Sequence, residues 1–375
     1  MPGAGARQTA HYRRAGLLLR ERQTYNPPLC AVPCVRAVFR DNFAAPVSST
    51  APQASLASAL ALAAADMREV DATIARRLAS GVPLVGQVAS YIIRSGGKRL
   101  RPVLLLLMCG ALGCQHPQRH SLAAVVEFIH TATLLHDDVV DESTLRRGRS
   151  TANVVFGNPA SVLVGDFLYS RAFQMMVETG DIRVMQVLAD ATNVIAEGEV
   201  QQLMNMHDAE LDEAGYLSVI RSKTAKLFEA SSRLAAILAR STPEVEEACA
   251  EYGRSIGTAF QIIDDVLDYD GDSAEMGKNL GDDLREGKAT LPLILAMQRA
   301  SAQDVAFVHR AIEDGTADDL PRIVRIVRES GALDGARQAA AAQAAKAQAA
   351  LTALPANEYS RSLLELAVQL LQRRS

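Results

Sequence analysis

Two copies of one acidic spacing, Asp137-Asp138-Val-Val-Asp141 and Asp264-Asp265-Val-Leu-Asp268, stand in this 375-residue chain. Each lies inside an apolar stretch with helical spacing, LLHDDVVDES and FQIIDDVLDYD. Carboxylates are rarely buried without a partner, so three in an apolar run require a compensating cation. On a helix, positions i and i+4 lie roughly 40° apart on one face, so the outer aspartates of each copy reach toward the same ion. Carboxylate oxygens suit hard divalent cations. Two such faces opposed across a cavity hold several of them, and those ions attract a polyanion such as diphosphate.

Three basic clusters accompany the acids. Gly96-Gly97-Lys98-Arg99-Leu100-Arg101-Pro102 joins a flexible turn to three cations. Glycine allows close backbone approach, arginine makes forked contacts with phosphate and lysine a compact one. Arg146-Arg147-Gly148 follows the first acidic copy, either to balance its charge or to give one arginine to each of two diphosphates. Lys223, Lys278 and Lys288 are scattered, the last two beyond the second copy. His130 is a core histidine on the VVEFIH face or a ligand, and its place about two turns before Asp137 puts it on the acidic side.

The elements that must position these groups are helices. LASALALAAADMREVDATIARRLA, LAAVVEFIHTATLLHDDVVDE, IRVMQVLADATNVIAEGEVQQLMNM and TAKLFEASSRLAAILAR repeat apolar residues at three- and four-residue steps, and no alternating strand stands out. Glycine and proline gather at the joints 95–102, 146–161 and 271–292. The expected architecture is one all-α domain over 51–375, preceded by a poorly ordered leader over 1–50. That leader holds seven arginines, no lysine and two acids, Glu21 and Asp41. It resembles a transit peptide in composition, although a dispensable tail or an unused upstream start explains it as well. The densest apolar run, VLLLLMCGAL at 103–112, is too short to span a bilayer and reads as a buried helix. A net charge of −4 argues against nucleic acid as a partner. Five cysteines without paired spacing fit a reduced, cytoplasmic setting.

The strings GGKRLRP, EFIHTATLLHDDVVDESTLRRG, KTAKLFEAS, FQIIDDVLDY and GKNLGDDLREGKATLP together resemble the trans-type polyprenyl diphosphate synthases, most closely the bacterial long-chain ones. The resemblance runs from about residue 55 to the C-terminus and departs at Ala289, where proline is common. It implies the all-α isoprenoid synthase fold, with helices around a deep central cavity, and three Mg²⁺ ions per site. It also implies successive condensation of isopentenyl diphosphate onto an allylic primer, expected to be farnesyl diphosphate. By motif match, Asp137, Asp141 and Asp264 hold metal, and Asp138, Asp265 and Asp268 complete or support those shells. Lys98, Arg101, His130 and Arg147 match the isopentenyl diphosphate site. Arg146, Lys223, Lys278 and Lys288 match the allylic diphosphate site, and Thr224 and Gln261 offer oxygen dipoles to an allylic cation. A homodimer is implied, with transient membrane-surface contact for release of an apolar product.

Product length is expected to be set on the helix leading into the first acidic copy. Ala132 and Thr133 are small where short-chain relatives carry bulky aromatics, and Ile129 lies in the next layer. Each helical turn adds about 5.4 Å, roughly one isoprene unit. The expected product is octaprenyl diphosphate for respiratory quinone side chains, ahead of nonaprenyl and decaprenyl. A terpene cyclase needs no second diphosphate site, and a silent partner subunit would have lost acids or cations that are all present.

Overall fold

The computed structural model describes residues 53–94, 96–270 and 280–373. The leader, and with it the expectation for residues 1–50, lies outside the described residues, as does Lys278. From Pro52 to Ser375 the chain groups as a single unit.

In chain order the helices are α1 (Gln53–Arg77), α2 (Pro83–Arg94), α3 (Leu100–Ala111) and α4 (Arg119–Val140). A two-stranded antiparallel ribbon follows, β1 (Leu145–Arg146) and β2 (Arg149–Ser150), with Arg146 opposite Arg149. Then come α5 (Ala152–Phe156), α6 (Asn158–Val177), α7 (Ile182–Asn205) and α8 (Glu213–Ile220). A wide π-helical turn, Arg221–Ala225, leads into α9 (Lys226–Leu238) and α10 (Pro243–Asp270). The remainder is α11 (Asp282–Arg285), α12 (Leu291–Arg299), α13 (Ala302–Asp314), α14 (Leu320–Glu329), α15 (Ala332–Ala350) and α16 (Glu358–Leu370). The all-α expectation holds, with the short ribbon as an addition at a joint that the sequence marks only by its glycine.

Local chemistry sets many of the boundaries. Asp181, Asp212 and Ser301 accept from backbone N–H groups at the starts of α7, α8 and α13, and Asn357 makes a reciprocal cap on α16. Pro102 sits in the first turn of α3, where a missing N–H costs no helical hydrogen bond.

Packing then brings the two acidic copies together. α10 lies against both α9 and α15, α3 lies between α4 and α9, and α4 packs on α6. The core they share is built around the buried Phe128, Leu135, Phe228, Tyr252 and Ile262. Burial of this surface, at roughly 25 cal/mol per Å² of apolar area, is what holds the helices in place. Both acidic copies fall at the C-terminal ends of their helices, α4 and α10.

Candidate active site

At the end of α4 the three aspartates divide by direction. Asp137 and Asp141 face a cavity of about 820 Å³. Asp138 is 1% exposed and turned inward, where one oxygen accepts from Nε of Arg146 at 2.8 Å and lies 2.7 Å from its Nη2. Its other oxygen is buried without a hydrogen bond. Arg146 is thereby fixed by the middle acid. Asn153 and Thr151 tie down the turn that follows, donating to the carbonyls of Asp138 and Ser143.

On α10, Asp264 and Asp268 line the same cavity. Asp265 accepts from the Tyr216 hydroxyl at 2.5 Å and from Nε2 of Gln261 at 2.8 Å. Burial pushes its carboxyl well above the ordinary range, and Asp283 adds to the shift. Thr224 donates to Oε1 of Gln261 at 2.9 Å, so the amide orientation follows from its two neighbours. The relay leaves the lone pairs of Thr224 directed elsewhere than at Gln261, and both residues line the cavity.

Lysines enter from two other elements. Lys223, on the π turn, reaches Glu199 of α7 at 2.6 Å and Asp137 at 3.8 Å. A π turn is a frequent device at functional sites because it re-aims side chains without ending the helix. Gly198 makes it possible here, since a Cβ would stand 2.9 Å from the backbone nitrogen of Lys223. Lys288 reaches Asp141 at 3.3 Å and also pairs with Glu286. Burial opposes its charge, but Asp141 and Glu286 outweigh that and raise its pKa. Burial raises the Asp137 carboxyl, with Lys223 pulling the other way.

The opposite wall is basic. Lys98, Arg101, His130, Arg146 and Arg147 line it. Arg147 lies on the glycine turn, donating to the Gly96 carbonyl, and a Cβ on Gly97 would run into its guanidinium. Gly97 has φ 135°, a second reason for glycine there. Arg101 stacks 4.4 Å over the Phe228 ring and donates to Nε2 of His130 at 3.2 Å. Burial lowers the Arg101 pKa to about 10, which leaves it charged at neutral pH. Burial and the neighbouring Arg101 and Arg147 hold His130 neutral. A guanidinium cannot accept, so Nε2 is the acceptor and the His130 proton sits on Nδ1.

Among the described residues no three acidic, histidine or cysteine side chains converge on one point as a ready-made metal site. The donor set nevertheless fits hard divalent cations. Carboxylates from two helices face one cavity, with a buried unpaired oxygen on Asp138 behind them. The lysines at Asp137 and Asp141 supply positive charge there meanwhile.

A second cavity of about 670 Å³ lies between α4, α6 and α7. Thr133, Asp137, Asp141, Ile195, Glu199, Gln202 and Met206 line both. Its remaining lining includes Tyr169, Phe173, Val200 and Leu203. Of the residues expected to set product length, Thr133 lines both cavities. Ala132 and Ile129 are fully buried in the core and line neither.

Several residues of this site carry no signal in the sequence. Glu199 and Tyr216 sit in ordinary helical contexts, and Glu286 sits in the turn that ends α11. Arg373 lies beyond the last helix, yet it stacks 4.6 Å over Phe260 and stands 3.5 Å from Asp264.

The polyprenyl synthetase family model matches residues 82–327. The octaprenyl diphosphate synthase of Haemophilus influenzae is 51% identical over 307 residues, covering 82% of this chain and 93% of that protein. A polyprenyl synthase from Caulobacter crescentus, crystallised with calcium and isoprenyl diphosphate, is 47% identical with a TM-score of 0.83, over 86% of this chain and 98% of that one. A decaprenyl diphosphate synthase from Rhodobacter capsulatus is 45% identical with a TM-score of 0.81, over 85% and 99% of the two chains.

Proposed function

The chain belongs to the polyprenyl synthetase family and is an enzyme of long-chain trans-polyprenyl diphosphate synthesis, and from that premise we propose a division of labour within its cavity. The observation that carries the proposal is that the two cavities share wall residues. Acidic ends of two helices and basic side chains face one space, which shares Thr133 and Asp137 with a neighbouring, mostly apolar space.

The allylic diphosphate lies against Asp137, Asp141 and Asp264, where Arg146, Lys223 and Lys288 neutralise it, with Lys278 as a further expected contact. Isopentenyl diphosphate lies on Lys98, Arg101, His130 and Arg147. The neutral His130 offers its Nδ1 proton to an anion. Divalent ions, proposed as three Mg²⁺ held by Asp137, Asp141 and Asp264, supply Lewis-acid charge neutralisation when bound. Arg146, Lys223 and Lys288 stabilise the diphosphate as the allylic C1–O bond breaks. The isopentenyl double bond attacks C1, and the proton lost in forming the new trans double bond goes to the released diphosphate. Thr224 presents oxygen lone pairs to the allylic cation, held in that direction by Gln261. The elongated chain grows past Thr133 into the second cavity. Asp138 acts by fixing Arg146 and Asp265 by fixing Gln261, while Asp268 faces the cavity beside Asp264 and completes the acidic set.

An octaprenyl product for respiratory quinones is the reading favoured by the 51% identity to the Haemophilus enzyme against 45% to the decaprenyl one. Residues 51–375 form the catalytic domain in this reading, with 1–50 as a leader. A homodimer is supported by the apolar face of α6 and α7, where Leu163 is 66% and Ile182 73% exposed. No helix among the described residues is long and apolar enough to cross a membrane. Free, buried Cys109, Cys114 and Cys249 support a cytoplasmic setting, and release of the apolar product occurs at a membrane surface in this reading.

Purified protein given Mg²⁺, farnesyl diphosphate and labelled isopentenyl diphosphate is expected to yield octaprenyl diphosphate, sized by chromatography. Asp137→Ala and Asp264→Ala are each expected to lower turnover at least about 100-fold while remaining folded. Near-wild-type synthesis by either variant would overturn the paired-acid assignment.

A further inference from the structure

Arg99, the middle cation of the glycine-rich loop, is engaged differently from its neighbours. It pairs with Asp71 of α1 and lies 3.9 Å, through Nε, from Oε1 of Glu127 on α4. Its backbone has φ 45°, a left-handed conformation that non-glycine residues adopt at a cost and keep only where surroundings enforce it. That reversal falls between Lys98 and Arg101, at the residue preceding α3.

Glu127 is the other half of the arrangement. It is 8% exposed, lines the larger cavity, and has one carboxylate oxygen buried without a hydrogen bond. A carboxylate is an unexpected group to bury in a wall that binds anions. Burial raises its pKa, while Arg99, Arg101 and Arg147 pull it down. Two accounts of such a group predict opposite signs. If Glu127 only dilutes the positive charge of the wall, its removal strengthens anion binding. If it holds the strained loop in place, its removal weakens binding.

We propose that Glu127 and Arg99 are positioning residues: the buried carboxylate holds the left-handed arginine, which sets the directions in which Lys98 and Arg101 leave the loop toward isopentenyl diphosphate. The left-handed backbone favours this second account, because it gives the loop a particular conformation to be held between Lys98 and Arg101, whereas a mere counter-charge needs no particular backbone. The inference rests on the assignment of Lys98 and Arg101 to that substrate.

The test uses the full chain and isopentenyl diphosphate alone, with binding followed by calorimetry, then steady-state kinetics with both substrates. Glu127→Gln and Arg99→Gln are each expected to weaken isopentenyl diphosphate binding and raise its KM by about tenfold, the scale of one charged contact, while the KM for farnesyl diphosphate stays put. The double variant is expected to be no weaker than either single one, because both changes release the same loop. Thermal unfolding identifies a variant that has lost its fold, and Arg99→Gln at the cavity rim then decides the matter. Unchanged or tighter binding in a folded single variant, or additive losses in the double, overturns the proposal. Arg101→Ala separates the two layers. If it leaves isopentenyl diphosphate affinity intact, the substrate assignment fails; if it weakens binding while the Glu127 and Arg99 variants do not, only the positioning role fails.

Discussion

Glu199 stands between a lysine and an aspartate, and its protonation follows from that position. Burial and the nearby Asp137 raise its carboxyl from 4.5 to about 7, against the pull of Lys223. Between those values the folded protein keeps a proton that the unfolded chain gives up. Stability from this group is therefore complete below about 4.5 and is lost as pH rises through about 7. Glu199→Gln is expected to remove that loss. In metal-free denaturant titrations, the stability of the variant relative to wild type should rise by about 1–3 kcal/mol between acid and neutral pH. A constant difference across the range would mean that Glu199 ionises like an exposed carboxylate. Nothing in the string IAEGEVQQL separates Glu199 from Glu197, which is exposed on the same helix. What distinguishes them is the approach of the π turn at Gly198, a tertiary fact.

Helices α4 and α10 show which parts of the site a sequence carries. Their apolar periodicity and acidic copies were readable because helix and function depend there on local spacing. The choice between Ala132 and Thr133 was not, because adjacent helical positions point about 100° apart and only the neighbouring helices decide which one meets a cavity. Thr133 is the one that does. Thr133→Phe is expected to shorten the product by several isoprene units, while Ala132→Phe acts mainly by overpacking the core. Chromatographic sizing of the polyprenyl products separates the two, and unchanged length in Thr133→Phe would remove that residue from length control. The basic strings were legible as phosphate contacts, but the engagement of Arg99 by Asp71 and Glu127 was hidden, since its partners come from α1 and α4. Arg373 was equally hidden, since its partners Phe260 and Asp264 come from α10.

At the scale of the molecule, the exposed apolar residues of α6 and α7 border the second cavity, whose own lining includes the exposed Phe173, Val200 and Leu203. A second copy covering this face would close the space into which the product grows. Leu163→Glu with Val200→Glu is expected to give a monomer in sedimentation, and a dimer of unchanged strength would place the interface elsewhere. One further consequence comes from where the acidic copies lie. Both occupy the last turns of long helices, and neither last turn contains a basic residue. A helix C-terminus carries about half a negative charge of its own, so each copy adds acid where the backbone already repels it. Lys223 and Lys288 offset part of that repulsion, and cations and substrates that bind there add stability by mass action. The amount of this enzyme that survives proteolysis in a cell would then follow the supply of its substrates, a control over abundance that requires no separate regulator.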